Sequence, residues 1–170
     1  MDNEGYGRFI FRQICPGEAD EAVEIEHVCF PPNEACSKRH MKERMERAPE
    51  LFFVAVDQET GRLAGFLNGI ATDEERFRDE FFTDCSLHVP NGKTVMLVGL
   101  DVRPEYRGQG LARALVSGYA KREREKGRSR LVLTCHDEKI GMYEKLGFVN
   151  RGLSASVWGG ETWYEMSYTL

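Results

Sequence analysis

One stretch constrains this chain more than any other: nine largely apolar residues from Thr94 to Val102, then Arg107-Gly108-Gln109-Gly110, then a helix-period segment running to Lys126. The near-continuous apolar run reads as a strand covered on both faces, which places it inside a sheet flanked by helices. Beyond the glycines, Leu111, Ala114, Leu115, Gly118 and Tyr119 recur on one helical face, and Gly127 ends the segment. Glycines between a strand and a helix let the backbone approach a ligand closely. The first N–H groups of the helix and the positive end of its dipole then form an anion site. Arg107, joined by Arg103 and Arg113, can add charge there. The segment therefore suits a phosphate or pyrophosphate, although the same glycines also suit a plain strand-to-helix turn. It lacks the Lys-Ser/Thr pair of a Walker A loop and the glycine spacing of a dinucleotide fingerprint.

The remaining chain supplies the rest of a mixed α/β fold, in the order β-α-α-β-β-(α)-β-α-β-α-β-β. Residues 8–14 alternate like a strand, and Pro16-Gly17 breaks it. Glu18 to Phe30 reads as an acidic helix with Ala22, Ile25 and Val28-Cys29 on its apolar side; a second helix runs from about Glu34 to Arg47, with Met41 and Met45 four apart. Residues 51–56 and 62–70 form a hairpin through Asp57-Gln58-Glu59-Thr60-Gly61. A short helix is expected over Asp73 to Phe82. Downstream come a buried strand, Leu131–Cys135, a short helix, Glu138–Leu146, and a closing hairpin of Phe148–Trp158 and Glu161–Thr169 around Gly159-Gly160. No repeat or linker interrupts the chain, so one domain spanning 1–170 is expected.

Composition narrows the function. With 23 basic and 28 acidic side chains the formal net charge is −5, which argues against a dedicated nucleic-acid binder. The charge is unevenly spread: residues 103–130 hold nine Lys/Arg against three Glu, leaving fourteen basic against twenty-five acidic residues elsewhere. The basic part surrounds the anion segment. The five cysteines (Cys15, Cys29, Cys36, Cys85, Cys135) are odd in number and scattered, and His27 with Cys29 does not complete a ligand set, so no metal site is expected. The polar start, Met1 to Gly5, carries no signal-peptide core, and the apolar run at 51–56 is too short to span a bilayer. A reduced, cytoplasmic protein free of membrane partners is expected.

A second motif joins the first. Arg107-Gly-Gln-Gly-Leu-Ala112 resembles the R/Q-x-x-G-x-G/A acetyl-CoA loop of the GNAT N-acetyltransferase superfamily, and Tyr143-Glu-Lys-Leu-Gly147-Phe148 resembles its downstream Y-x-x-x-G-F segment. Within the superfamily the chain is similar to the serotonin (arylalkylamine) N-acetyltransferases over roughly residues 20–168. The shared stretches are Ala48-Pro-Glu-Leu51, Asp73-Glu-Glu-Arg76, Leu87-His-Val-Pro-Asn-Gly92, Ser154-Ala155 and Gly160-Glu-Thr-Trp163.

The resemblance implies a GNAT fold and acetyl transfer from acetyl-CoA to a primary amine, in a monomer or homodimer. Two strands would splay beside the cofactor, with Leu100, Asp101 and Val102 along its pantetheine arm. Arg107, Gly108, Gln109, Gly110, Leu111, Ala112 and Arg113 would surround the pyrophosphate, and N–H groups near Leu100 would polarise the thioester oxygen. Tyr143 would protonate the departing CoA sulfur. The likeness fails at the base: where the vertebrate serotonin enzymes carry two histidines, this sequence has Met96 and Val98. His136 is the leading remaining candidate, as general base or as cofactor contact, ahead of Asp101 and His88; a water chain without a single base also fits. Phe30, Pro31, Thr134 and Trp163 are the expected acceptor contacts, with Phe81, Phe82 and Tyr164 as further aromatics, each equally compatible with plain packing. The acidic runs at 18–26 and 73–75 suit either steering of a cation or a solvated face. Direct attack is expected over a Cys135 acyl-enzyme. The competing readings are a protein Lys or N-terminal acetyltransferase, which needs an open peptide groove, and a non-catalytic acyl-CoA sensor.

Overall fold

The computed structural model describes residues 7–170; the polar Met1–Gly5 stretch lies outside them. Strand β1 (Phe9–Gln13) leads through a turn to helix α1 (Ala19–Cys29), and Ser37 caps helix α2 (Lys38–Arg47) by accepting from the His40 N–H. The second helix starts later than the sequence suggested, because Pro31 to Ser37 forms a separate connecting segment. Strands β2 (Phe52–Asp57) and β3 (Leu63–Thr72) follow, buried along their whole length. After β3, only Glu80–Thr83 is helical (α3). The longer helix expected over Asp73 to Phe82 fails because tertiary bonds hold the segment elsewhere: the Phe77 N–H donates 2.8 Å to Glu165 Oε1, and the Asp79 carboxylate accepts from Ser156 Oγ and the Val157 N–H. Strand β4 (Thr94–Val102) and helix α4 (Leu111–Glu125) match expectation closely. Strand β5 (Arg130–Cys135), helix α5 (Ile140–Lys145) and strands β6 (Val149–Leu153) and β7 (Tyr164–Thr169) complete the chain. The closing hairpin is looser than expected, since residues 154–163 form a connection carrying a turn at Trp158–Gly160.

The seven strands form one sheet in the order β1-β2-β3-β4-β5-β7-β6. All neighbours are antiparallel except β4 and β5, which run parallel and pair only at Thr94–Arg130, Val95–Leu131 and Met96–Val132. Past Met96 the two strands part: β4 continues to Val102 against β3, while β5 continues to Cys135 against β7. Val98 is the extra residue of a bulge on β4, since Asn68 opposes Gly99 while Gly69 opposes Leu97; a bulge bends the strand that carries it. One face packs under α4, with Leu111, Leu115, Val116 and Tyr119 against Phe53, Leu67 and Val95. The other is covered by α1 and α2, with Ala22, Ile25, Met41 and Met45 against Phe52, Val54 and Phe66.

Candidate active site

The parting of β4 from β5 opens a cavity of about 970 Å³. Its floor is Leu97 to Leu100 and Val102 of β4 with Leu133, Thr134 and Cys135 of β5. One end is closed by Arg107, Gly108, Gly110, Leu111 and Ala112, the approach to α4. Gly108 and Gly110 hold φ of +77° and +80°, a left-handed backbone that favours glycine. A Cβ on Gly108 would meet nothing within 4 Å, so open space lies against the backbone there. The first N–H groups of any helix find no carbonyl within the helix itself, so this end of the cavity is where an anion is favoured.

The basic surplus divides by position. Arg107 lines the cavity and donates 3.1 Å to Val102 O, whereas Arg113, outside the lining, donates 3.2 Å to Lys145 O. Arg103 turns away from this end: 4% exposed, it bonds Leu63 O at 2.7 Å and Glu24 at 3.0 Å. Arg128 and Lys126 are tied to Glu123 at the opposite end of α4. On α1, Asp20 is likewise engaged with Lys38, and Glu21 and Glu24 with Arg103.

Over the cavity, Phe30 to Ser37 forms a roof, stapled to the far side of the sheet. Asn33 donates 3.1 Å to Gly159 O, Trp158 Nε1 donates 2.9 Å to Glu34 O, and His136 Nε2 lies 3.0 Å from Glu34 Oε1. The His136 ring stacks on Trp163 at 4.1 Å, and Phe82 packs on Trp158 at 4.6 Å. Phe30, Phe82, Trp158 and Trp163 thus wall the cavity beneath this roof, while Phe81 and Tyr164 are not among its lining residues. Burial opposes charge on His136, but the hydrogen bond and charge of Glu34, with the backbone of Thr162, outweigh it and raise its pKa.

Tyr143 reaches the cavity from α5 beside Cys135. Burial, reinforced by Cys135 and Asp101, pushes its phenol well above the usual range, so it stays an O–H donor. Burial also pushes Cys135 up to about 11, leaving it a thiol at neutral pH. His88 is remote: its Nδ1 accepts from Ala71 N–H at 3.1 Å and its Nε2 faces Glu50 at 2.9 Å, a structural bridge. The cavity therefore brings together Leu100, Val102, Arg107, Gly108, Gly110, Leu111, Ala112, Tyr143, His136, Phe30, Pro31, Thr134 and Trp163; Asp101, Gln109 and Arg113 stand outside its lining.

Among the cavity residues that were not legible as such are Glu26, Arg44 and Trp158. Glu26 shares the α1 face of Ala22, Ile25 and Cys29, and Arg44 sits between Met41 and Met45 on the buried face of α2, so the helical spacing that marked their neighbours marks them too. Among the described residues no group of three or more His, Cys, Asp and Glu could hold a metal ion, and no helix is long and apolar enough to cross a membrane.

A parallel pair of strands wedged open beside a glycine-led helix N-terminus is the arrangement of an acyl-CoA-dependent acyltransferase. The model of the acetyltransferase (GNAT) family matches residues 19–148, and the chain belongs to that family. It is similar to a serotonin N-acetyltransferase of Mesocricetus auratus, 31% identical over 164 residues that cover 94% of this chain and 77% of the relative. Its fold is shared with the GphF GNAT-like decarboxylase in complex with isobutyryl-CoA (TM-score 0.81, 17% identity, 94% of this chain and 98% of that one). It is shared equally with the loading GNATL domain of CurA from Lyngbya majuscula (TM-score 0.81, 13% identity, 95% and 97%).

Proposed function

We propose that this chain, as one domain, transfers acetyl from acetyl-CoA to the primary amine of a small arylalkylamine, by direct attack with both substrates bound. The observation that carries the small acceptor is the roof: Phe30 to Ser37, stapled by Asn33, Glu34 and Trp158, covers an aromatic-walled chamber where a protein substrate would need an open groove. Similarity to a serotonin N-acetyltransferase supports the same class.

The residues present suit the donor. The edge of β4 past Met96, left without a β5 partner, offers backbone at Leu100 to Val102 for a pantetheine arm. The open space at Gly108 and the N-terminus of α4, with Arg107 beside it, suits a pyrophosphate. The acyl thioester of the donor supplies the electrophile. Tyr143, held as a neutral phenol, donates its proton to the departing sulfur. Cys135, a buried thiol, has little thiolate character for a covalent route. His136, committed to Glu34 and biased towards imidazolium, suits holding the roof better than accepting a proton.

The test is release of CoA from acetyl-CoA across tryptamine, phenethylamine, polyamines and Lys or N-terminal peptides. Preference for the aromatic amines is expected; turnover on peptides alone would overturn the reading.

A further inference from the structure

On the α1 wall of the cavity the fold leaves buried ionisable groups with unused hydrogen-bonding capacity. Glu26 is 3% exposed and Asp101 1% exposed. Glu26 Oε2 accepts from Cys36 N–H at 2.9 Å, whereas Glu26 Oε1 and both Asp101 oxygens have no donor among the described residues. The two carboxyls face each other within hydrogen-bond reach. Asn68 shares their chamber with its side-chain amide unpartnered; a Cβ on Gly99 would fall 3.0 Å from Asn68 Oδ1 and 3.2 Å from Asp101 Oδ1. Arg44, 2% exposed, donates from Nη2 to Phe82 O at 2.9 Å and leaves Nε and Nη1 unmet. Glu26 and Arg44 line the cavity, and Asp101, outside the lining, neighbours Glu26. Buried polar atoms are nearly always bonded, so such a concentration of unmet ones marks a place for a polar guest.

Two buried carboxylates in apposition do not both ionise. Burial first, then the charge of Glu26, pushes Asp101 well up, so Asp101 is the carboxyl that favours its protonated form. Of the groups facing it, Cys29 on α1 stays a thiol and Tyr143 on α5 stays a phenol, while Arg44 on α2 brings a guanidinium. His40 and His136 line the same cavity.

We propose that the Glu26–Asp101 pair seats the ammonium group of the acceptor amine and takes its proton. This rests on the acetyl-to-amine reading above. The ammonium donates to Glu26 Oε1, and one proton passes to the pair, which becomes doubly protonated and neutral. The freed nitrogen lone pair forms the N–C bond as the C–S bond breaks. The sulfur takes the Tyr143 phenolic proton, the second nitrogen proton replaces it, and the pair returns its extra proton to solvent. The sum is ammonium and thioester giving amide, thiol and one proton. The pair thereby takes the proton-accepting role for which Met96 and Val98 have no suitable group.

The experiment compares Glu26→Gln and Asp101→Asn with wild type on phenethylamine and on β,β-difluorophenethylamine, whose fluorines make the amine far less basic, across pH. For Glu26→Gln, kcat/KM on phenethylamine at neutral pH is expected to fall about 100-fold, with the deficit shrinking at high pH and on the fluorinated amine. An equal deficit on both amines at every pH would overturn the proposal. If wild type binds acetyl-CoA yet acetylates neither amine, the function reading fails instead. The pair is then read by ¹³C NMR titration of side-chain carboxyls: one titrating near or above neutrality and lost in Asp101→Asn supports it, and two ordinary carboxyl titrations refute it. Should Glu26→Gln not fold, Asp101→Asn and the wild-type titration decide between the same two outcomes.

Discussion

Replacing Gly108 by Ala separates what the glycine does for the fold from what it does for a ligand. At φ +77° a Cβ-bearing residue is strained, yet the added methyl would meet nothing within 4 Å. The cost to the free protein is therefore backbone strain alone, about 1–2 kcal/mol, or a melting temperature lower by roughly 2–8 °C for a chain of this size. Gly61, in the turn between β2 and β3, is the matched control: its φ is +74° and its Cβ would also meet nothing within 4 Å. Gly61→Ala should lose about the same stability. Only at Gly108 does the methyl occupy the approach to the α4 N-terminus, where it would hold a phosphate off the backbone. Loss of one charge-assisted hydrogen bond, about 1.5–3 kcal/mol, corresponds to acetyl-CoA affinity weaker by roughly 10- to 100-fold. Calorimetric titration with acetyl-CoA, alongside thermal melts of both variants, measures the two effects separately. Equal affinity in the two variants, with equal loss of stability, would refute the placement of the pyrophosphate against Gly108.

Tyr143→Phe should lower turnover more than acetyl-CoA affinity and alter the pH–rate profile; an unchanged profile would remove the acid role, which rests on a phenol kept protonated by burial. Cys135→Ser should retain full activity if transfer is direct, and abolished turnover with normal CoA binding would reverse that. Glu34→Gln removes the partner that raises the His136 pKa, so its effect on stability has a defined sign. The Glu34–His136 contribution is complete below the unfolded histidine value of about 6.5 and vanishes as pH rises through the higher folded value. Melts of wild type and variant should accordingly differ most at acidic pH and converge at alkaline pH. Loosening of the roof should also show as a higher KM for amine with little change for acetyl-CoA.

The legibility of the site followed local pattern. Strand β4 and helix α4 are readable because a continuous apolar run, a glycine break and a 3.6-residue period each occur within one segment. The helix expected from Asp73 is not, because its fate is decided by Glu165 and Ser156, more than 70 residues away. Glu26 and Arg44 point outward by residue type, although their spacing puts them on the buried faces of α1 and α2. Val28, expected on the apolar side of α1, is 54% exposed for the same reason: the face turns through Ala22, Ile25, Glu26 and Cys29. The divergence of β4 and β5 has no local signature at all. Only the family resemblance anticipates it; the bulge at Val98, just past the last β4–β5 pair at Met96, bends β4 there.

That divergence also governs how the protein holds together. Four strands lie on one side of the seam and three on the other, and three residue pairs join them. A donor placed in the wedge as proposed would lie against the seam where β4 and β5 no longer pair, and would act as a keystone there. At one hundred times its dissociation constant such a ligand adds about 2.7 kcal/mol to the folded state. Thermal melts should accordingly rise with acetyl-CoA concentration, the seam being the part of the sheet that the ligand secures.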